Sequence, residues 1–188
     1  MRLRRQFGTA AALALAAALL VASGTPARAQ VLNSAASPIA LRAVLSQSLT
    51  VTLSGNAVNF NLVSGSANNP GSTSITATTS WILQTPVAIV SLYAFFANAG
   101  SALTDGAGDN IPSADFQISD NGGAFTALTN TVPFGGANAG LTLGQTLILL
   151  NNRGSRTDVM KFNITLSPLP NLPAGDYTGT LTIQAQAI

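Results

Sequence analysis

Apolar and small polar residues alternate at every second position through much of this chain, and that constrains its fold more than any other feature. "SLTVTLSG" sets Leu49, Val51 and Leu53 against Ser48, Thr50, Thr52 and Ser54, and "AVNFNLV" sets Val58, Phe60 and Leu62 against Asn59 and Asn61. Side chains of a strand point alternately to its two faces, so a period of two buries one set and leaves the other in water. "STSITATTSWIL" continues the pattern with Ile75, Ala77, Trp81 and Leu83. "VAIVSLYAFF", flanked by Pro86 and Gly100, is apolar on both faces and rich in Val, Ile, Tyr and Phe, which predicts a central strand rather than a helix.

Further along, Ala114 to Ile118 and Ala124 to Leu128 read as short strands joined by the hairpin signal "SDNGG". "TLILL" (Thr146 to Leu150), "VMKFNITL" (Val159 to Leu166) and "YTGTLTIQAQA" (Tyr177 to Ala187) follow, with Gly-, Asn- and Pro-rich turns between them. Short strands separated by turn signals predict an all-β fold, an antiparallel sandwich or barrel. An outer-membrane barrel is disfavoured, since Trp81, Tyr93 and Tyr177 are too few for aromatic girdles and charges are too sparse for a polar lumen.

The first residues have a different purpose. Arg2, Arg4 and Arg5 precede the apolar run Thr9 to Ala22, and Ala27-Arg28-Ala29 forms a small-residue cleavage site. These are the parts of a secretory signal peptide, residues 1–29, cut before Gln30, and the run is too short for a stable membrane span. Removing it leaves Arg42, Arg153, Arg156 and Lys161 against six aspartates, a formal charge of −2. The basic balance of the full chain therefore belongs to its leader and does not imply a nucleic-acid partner. The mature chain divides into an N-terminal extension, residues 30–47, and a β domain, residues 48–188, large enough to be stabilised by burial without disulfides.

The side chains present exclude most catalytic chemistry. There is no His, Cys or Glu, which rules out Ser-His-Asp and Cys-His arrangements and thiolate or imidazole metal sites. Asp105, Asp109, Asp115, Asp120, Asp158 and Asp176 sit in Gly- and Asn-rich contexts, where Asp is favoured because it bonds nearby backbone. "DGAGDNIPSAD" offers oxygen ligands from Asp105, Asp109, Asn110 and Asp115 but lacks EF-hand spacing, so it reads as a turn. Lys161, the only lysine, reads as a solvated edge charge, and Arg153 and Arg156 as parts of a polar turn. The "NIT" sequon at Asn163 falls inside a predicted strand. No enzyme, cofactor or metal site is expected.

Leu172, Pro173, Gly175 and Tyr177 resemble the loop before the penultimate strand of immunoglobulin and fibronectin type III sandwiches, where a tyrosine hydroxyl bonds back to the corner backbone. "PAGDYTGTLTIQ" (Pro173 to Gln184) is similar to the closing hairpin of chaperone–usher pilin subunits, including those related to spore coat protein U. That resemblance implies an immunoglobulin-like antiparallel β-sandwich lacking its final strand. A chaperone, and later an extension of the next subunit, would fill the resulting groove by strand addition. Tyr177, Leu181, Ile183 and Ala185 would flank the groove.

Two segments could be the donor: "SPIALRAVL" with Ile39, Leu41 and Ala43, and "SLTVTLSG" with Leu49, Val51 and Leu53. The second alternates more cleanly and is the preferred candidate, but it reads equally well as the first strand of the domain's own sheet. The expected function is an exported, non-enzymatic structural or adhesive subunit of a bacterial surface assembly, a pilus or coat. Its partners would be further copies, related subunits and a periplasmic chaperone. The alternative is a self-contained secreted binding module, carbohydrate being one candidate ligand.

Overall fold

A computed structural model describes residues 34–84, 88–150 and 152–188, so the signal-peptide reading lies outside the described residues. The chain divides into two units, Met1–Ala43, of which residues 34–43 are described, and Val44–Ile188. Residues 34–47 have no regular secondary structure and are exposed.

The second unit is all-β. One sheet contains β1 (Ser48–Leu53), β2 (Asn69–Pro70), β3 (Ile75–Ile82), β7 (Phe116–Asp120), β8 (Thr126–Ala127) and β10 (Arg153–Ile164) in the order β1-β3-β10-β7-β8, with β2 also paired to β10. A second sheet has the order β11-β4-β9, from β4 (Ala88–Phe95), β9 (Gly140–Ile148) and β11 (Thr182–Ala187). β5 (Leu103–Thr104) and β6 (Asn110–Ile111) form a small hairpin. All pairings are antiparallel.

The alternating residues build the core. Ile75 and Ala77 of β3, Ile118 of β7, and Met160, Phe162 and Ile164 of β10 face Leu92 and Ala94 of β4 and Leu141 and Leu143 of β9 in one cluster shared by the two sheets. Trp81, Leu83, Ala88, Val90 and Ile148 make a smaller cluster towards the start of β1. β4 is central in its sheet and buried along nearly all its length, as its two-faced apolar sequence predicts.

The "SDNGG" hairpin forms between β7 and β8, with Asn121 and Gly122 at φ of 50° and 79°. Both values lie in the left-handed region that an Asn-Gly turn supplies at least cost.

Several elements differ from their expected bounds. β10 begins at Arg153, so "RGSRTD" is strand rather than turn; it pairs along its length with the Thr- and Ser-rich β3 and needs no apolar face there. Arg156 reaches from β10 to the second sheet, with its guanidinium over Gly144, where any Cβ would collide with it. Its Nη1 donates to the Gln145 carbonyl, and Nη2 to the fully buried Asp158. Lys161 is exposed, yet β10 lies between β3 and β7, so it is an outward charge on an interior strand rather than an edge charge. β9 starts at Gly140, ahead of "TLILL", and a bulge opposite Leu92 and Tyr93 interrupts the alternation that would have revealed it.

One expected strand is largely missing, and another forms only over its second part, as β11. Among the described residues, 57–63 make one bridge, Phe60 to Gly71, and 177–181 make one, Thr178 to Thr104. Both segments keep the apolar alternation of strands without a ladder partner, and both border the same cleft.

Candidate functional site

An open groove of ≈ 1020 Å³ lies along the end of the domain where β1 finishes and β11 begins. Its floor is the core itself: Ile75 from β3, Phe116 from β7, and Met160, Phe162 and Ile164 from β10. Phe116 anchors this floor through edge contacts with Phe60 at 5.8 Å and Phe96 at 5.2 Å between ring centroids. Aromatic pairs favour such edge-to-face geometry, which fixes the floor's shape.

One wall runs from Leu53 through Val58, Phe60 and Leu62, the other from Leu172 to Ile183. Asn56, Asn59, Asn61, Ser64, Asp176 and Thr180 form a polar rim. The result is a slot with an apolar base and unladdered backbone on both sides, the layout that suits an extended peptide.

The second wall is held by its corner. The Tyr177 hydroxyl donates to the Pro173 carbonyl at 2.9 Å, the bond expected from the sequence. Desolvation, then the carboxylates of Asp109 and Asp105, push the phenol pKa above its ordinary value. Gly179 passes so close to the Ala102 carbonyl that a Cβ there would collide with it. This contact and the Thr104–Thr178 bridge tie the wall to the β5–β6 hairpin.

Tyr177, Leu181 and Ile183 come together along one wall, all partly buried against the core. Ala185 packs on the same core beyond the lined stretch. Leu53 lies on the opposite wall and is 40% exposed. Leu49 and Val51 do not reach the groove: Leu49 packs on the Trp81 cluster and Val51 on the main core. All of β1 pairs with β3, Ser48 opposite Ile82 through Leu53 opposite Ala77. In the other candidate segment, Ile39 and Leu41 are 83% and 91% exposed, followed by the exposed Leu45. Ile39, Leu41, Ala43 and Leu45 fall at every second position.

The remaining polar candidates have local explanations. Asp105 Oδ1 accepts backbone N–H bonds from Ala107, Gly108 and Asp109, an Asx-type turn. Asp115 lies away from it in the single turn of 3-10 helix at Ser113–Asp115. Asn163 is buried and donates to Ala67 and Gln117, so the sequon is structural. Trp81 and Tyr93 are buried and offer no sugar-stacking face. No helix among the described residues is long and apolar enough to cross a membrane.

The groove depends on the segment Gly55–Ser64, which sequence reasoning missed because its alternation reads as an ordinary strand. Comparison with protein-family models and with curated proteins gives no match to this chain.

Proposed function

We propose that this protein is an exported, non-enzymatic structural subunit of a surface assembly, and that its β domain is an immunoglobulin-like sandwich completed by a strand from another molecule. The observation that carries this is the apolar groove that ends at Ile183 of β11, a strand without an outer neighbour among the described residues, and that is walled by two strand-patterned segments with one isolated bridge each. The strand order supports the immunoglobulin-like reading. β1-β3-β10-β7 is compatible with the A-B-E-D order and β11-β4 with the F-C pair, β9 being an additional strand beside β4; on this reading an added strand G would enter from the groove beside Ile183.

The donor is the segment Pro38 to Leu45. Its exposed Ile39 and Leu41, with Ala43 and Leu45, present one apolar row that matches the groove floor, whereas β1 is committed to β3. Only Ser46 and Gln47 join this segment to β1, and the pair has neither the Asn nor the Gly that a tight two-residue hairpin favours, which supports donation to another copy.

Size-exclusion chromatography with light scattering tests this on the chain from Gln30 beside one starting at Ser46. The longer chain should form concentration-dependent polymers, and the shorter a folded monomer that captures a Pro38–Ser46 peptide. A stable monomer for the longer chain, with no peptide capture by the shorter, would instead indicate a self-contained module.

A further inference from the structure

The end of the β domain opposite the groove has a chemistry of its own. β1 begins there, Ser48 standing opposite Ile82 and Ile82 opposite Arg153. Ile89 pairs with Leu147 and exchanges backbone hydrogen bonds of 2.8 and 3.1 Å with Ile188, so these side chains share one cross-strand row. Leu147 and Leu149 are each 58% exposed and Leu150 is 88% exposed. Clustered exposed aliphatics of this kind mark an interaction surface. The groove end, by contrast, carries carboxylates: Asp176 on the rim and, against Gly175, Asp105, with Asp109 in the same turn.

We infer that this apolar end, with Arg153, packs on the groove end of a second copy and forms a head-to-tail contact beside the donated strand, an inference that rests on the strand-addition proposal. The tether chooses the surface. Only Ser46 and Gln47 separate Leu45 from Ser48, and an extended residue spans at most about 3.6 Å, so the donor's domain sits within about 11 Å of the groove it fills. What it brings to that junction is its Ser48 end.

Charge chooses the direction. A donor antiparallel to β11 leaves the groove at the Tyr177 end, among Asp105, Asp109 and Asp176. A parallel donor leaves at the acceptor's own Arg153 end, cation facing cation. Antiparallel insertion therefore pairs opposite charges and places Leu149 and Leu150 on the acceptor. The contact joins different surfaces of the two copies, so it repeats along a filament without closing.

The test uses the chain from Gln30 carrying Leu149→Ser and Leu150→Ser, which keeps both groove and donor. Polymers should dissociate at least tenfold faster than those of the unaltered chain, while capture of the Pro38–Ser46 peptide by the same variant on a chain starting at Ser46 is unchanged. Arg153→Glu should weaken assembly, and Asp176→Arg should restore it in the double variant. Unchanged dissociation in every variant would overturn the second interface while leaving strand addition standing. An unaltered chain that neither polymerises nor captures the peptide would overturn both.

Discussion

The Tyr177 hydroxyl lies 2.9 Å from the Pro173 carbonyl and donates to it across four residues of chain, fixing the corner from which one groove wall descends. Tyr177→Phe removes this single bond while leaving the ring in place. The expected loss in urea unfolding is small, because the bond lies at the exposed surface where water can replace it. Peptide capture should weaken as well, because among the described residues the wall from Thr178 to Leu181 is otherwise held by one backbone bridge, Thr178 to Thr104.

Leu181 lines the groove and is only partly buried, so a charge there can be accommodated by the fold but not by an apolar donor. Leu181→Arg should give a folded monomer that no longer captures the Pro38–Ser46 peptide, read by circular dichroism and titration calorimetry. Phe162→Ala, at the floor, should instead cost about 3 to 5 kcal/mol as a buried aromatic deletion.

Arg156 joins the two sheets and is the cation that faces the buried Asp158. Arg156→Ala leaves that carboxylate uncompensated and should cost about 2 to 3 kcal/mol, less than a fully buried pair because the Arg156 side chain is 27% exposed. Arg156→Lys should recover only part of this, since it cannot bond Asp158 and the Gln145 carbonyl with a planar fork.

Burial holds the Asp115 pKa above 3.8 in the folded state. The folded protein therefore binds this proton more tightly than the unfolded chain does. Its contribution is most favourable below pH 3.8 and is lost as pH rises through the raised value. Asp115→Asn should flatten the fall in stability over that window in urea melts recorded as a function of pH; an unchanged slope would assign the effect to other carboxylates.

Most of the β architecture is legible because one side of each strand is buried, and burial imposes the alternation seen at Ile75, Ala77, Met160 and Phe162. The Tyr177 corner and the Asn121-Gly122 hairpin are equally readable, being local chemistry within a few residues. "RGSRTD" is not, because its inward positions are Gly154, which makes room for Trp81, and the ion-paired Arg156 and Asp158, so no apolar period marks it. The groove was legible only in part. Leu181 and Ile183 reveal their wall, but Val58, Phe60 and Leu62 look like any strand, since alternation reports a buried face and not whether the backbone has a neighbour. For the same reason Leu49, Val51 and Leu53 read equally as donor or sheet by pattern, and their register with β3 is not visible in the sequence.

The chain has no cysteine, so introduced thiols report contacts without background. A variant with Ile183→Cys, mixed with variants carrying a single cysteine at residues 39 to 43 and oxidised, tests directly whether one copy's extension lies on another's β11. Strand donation predicts intermolecular disulfides from Ile39→Cys, Leu41→Cys or Ala43→Cys and few from Ala40→Cys or Arg42→Cys, a period of two across the segment. Cross-linking that is absent or equal at all five positions would contradict it.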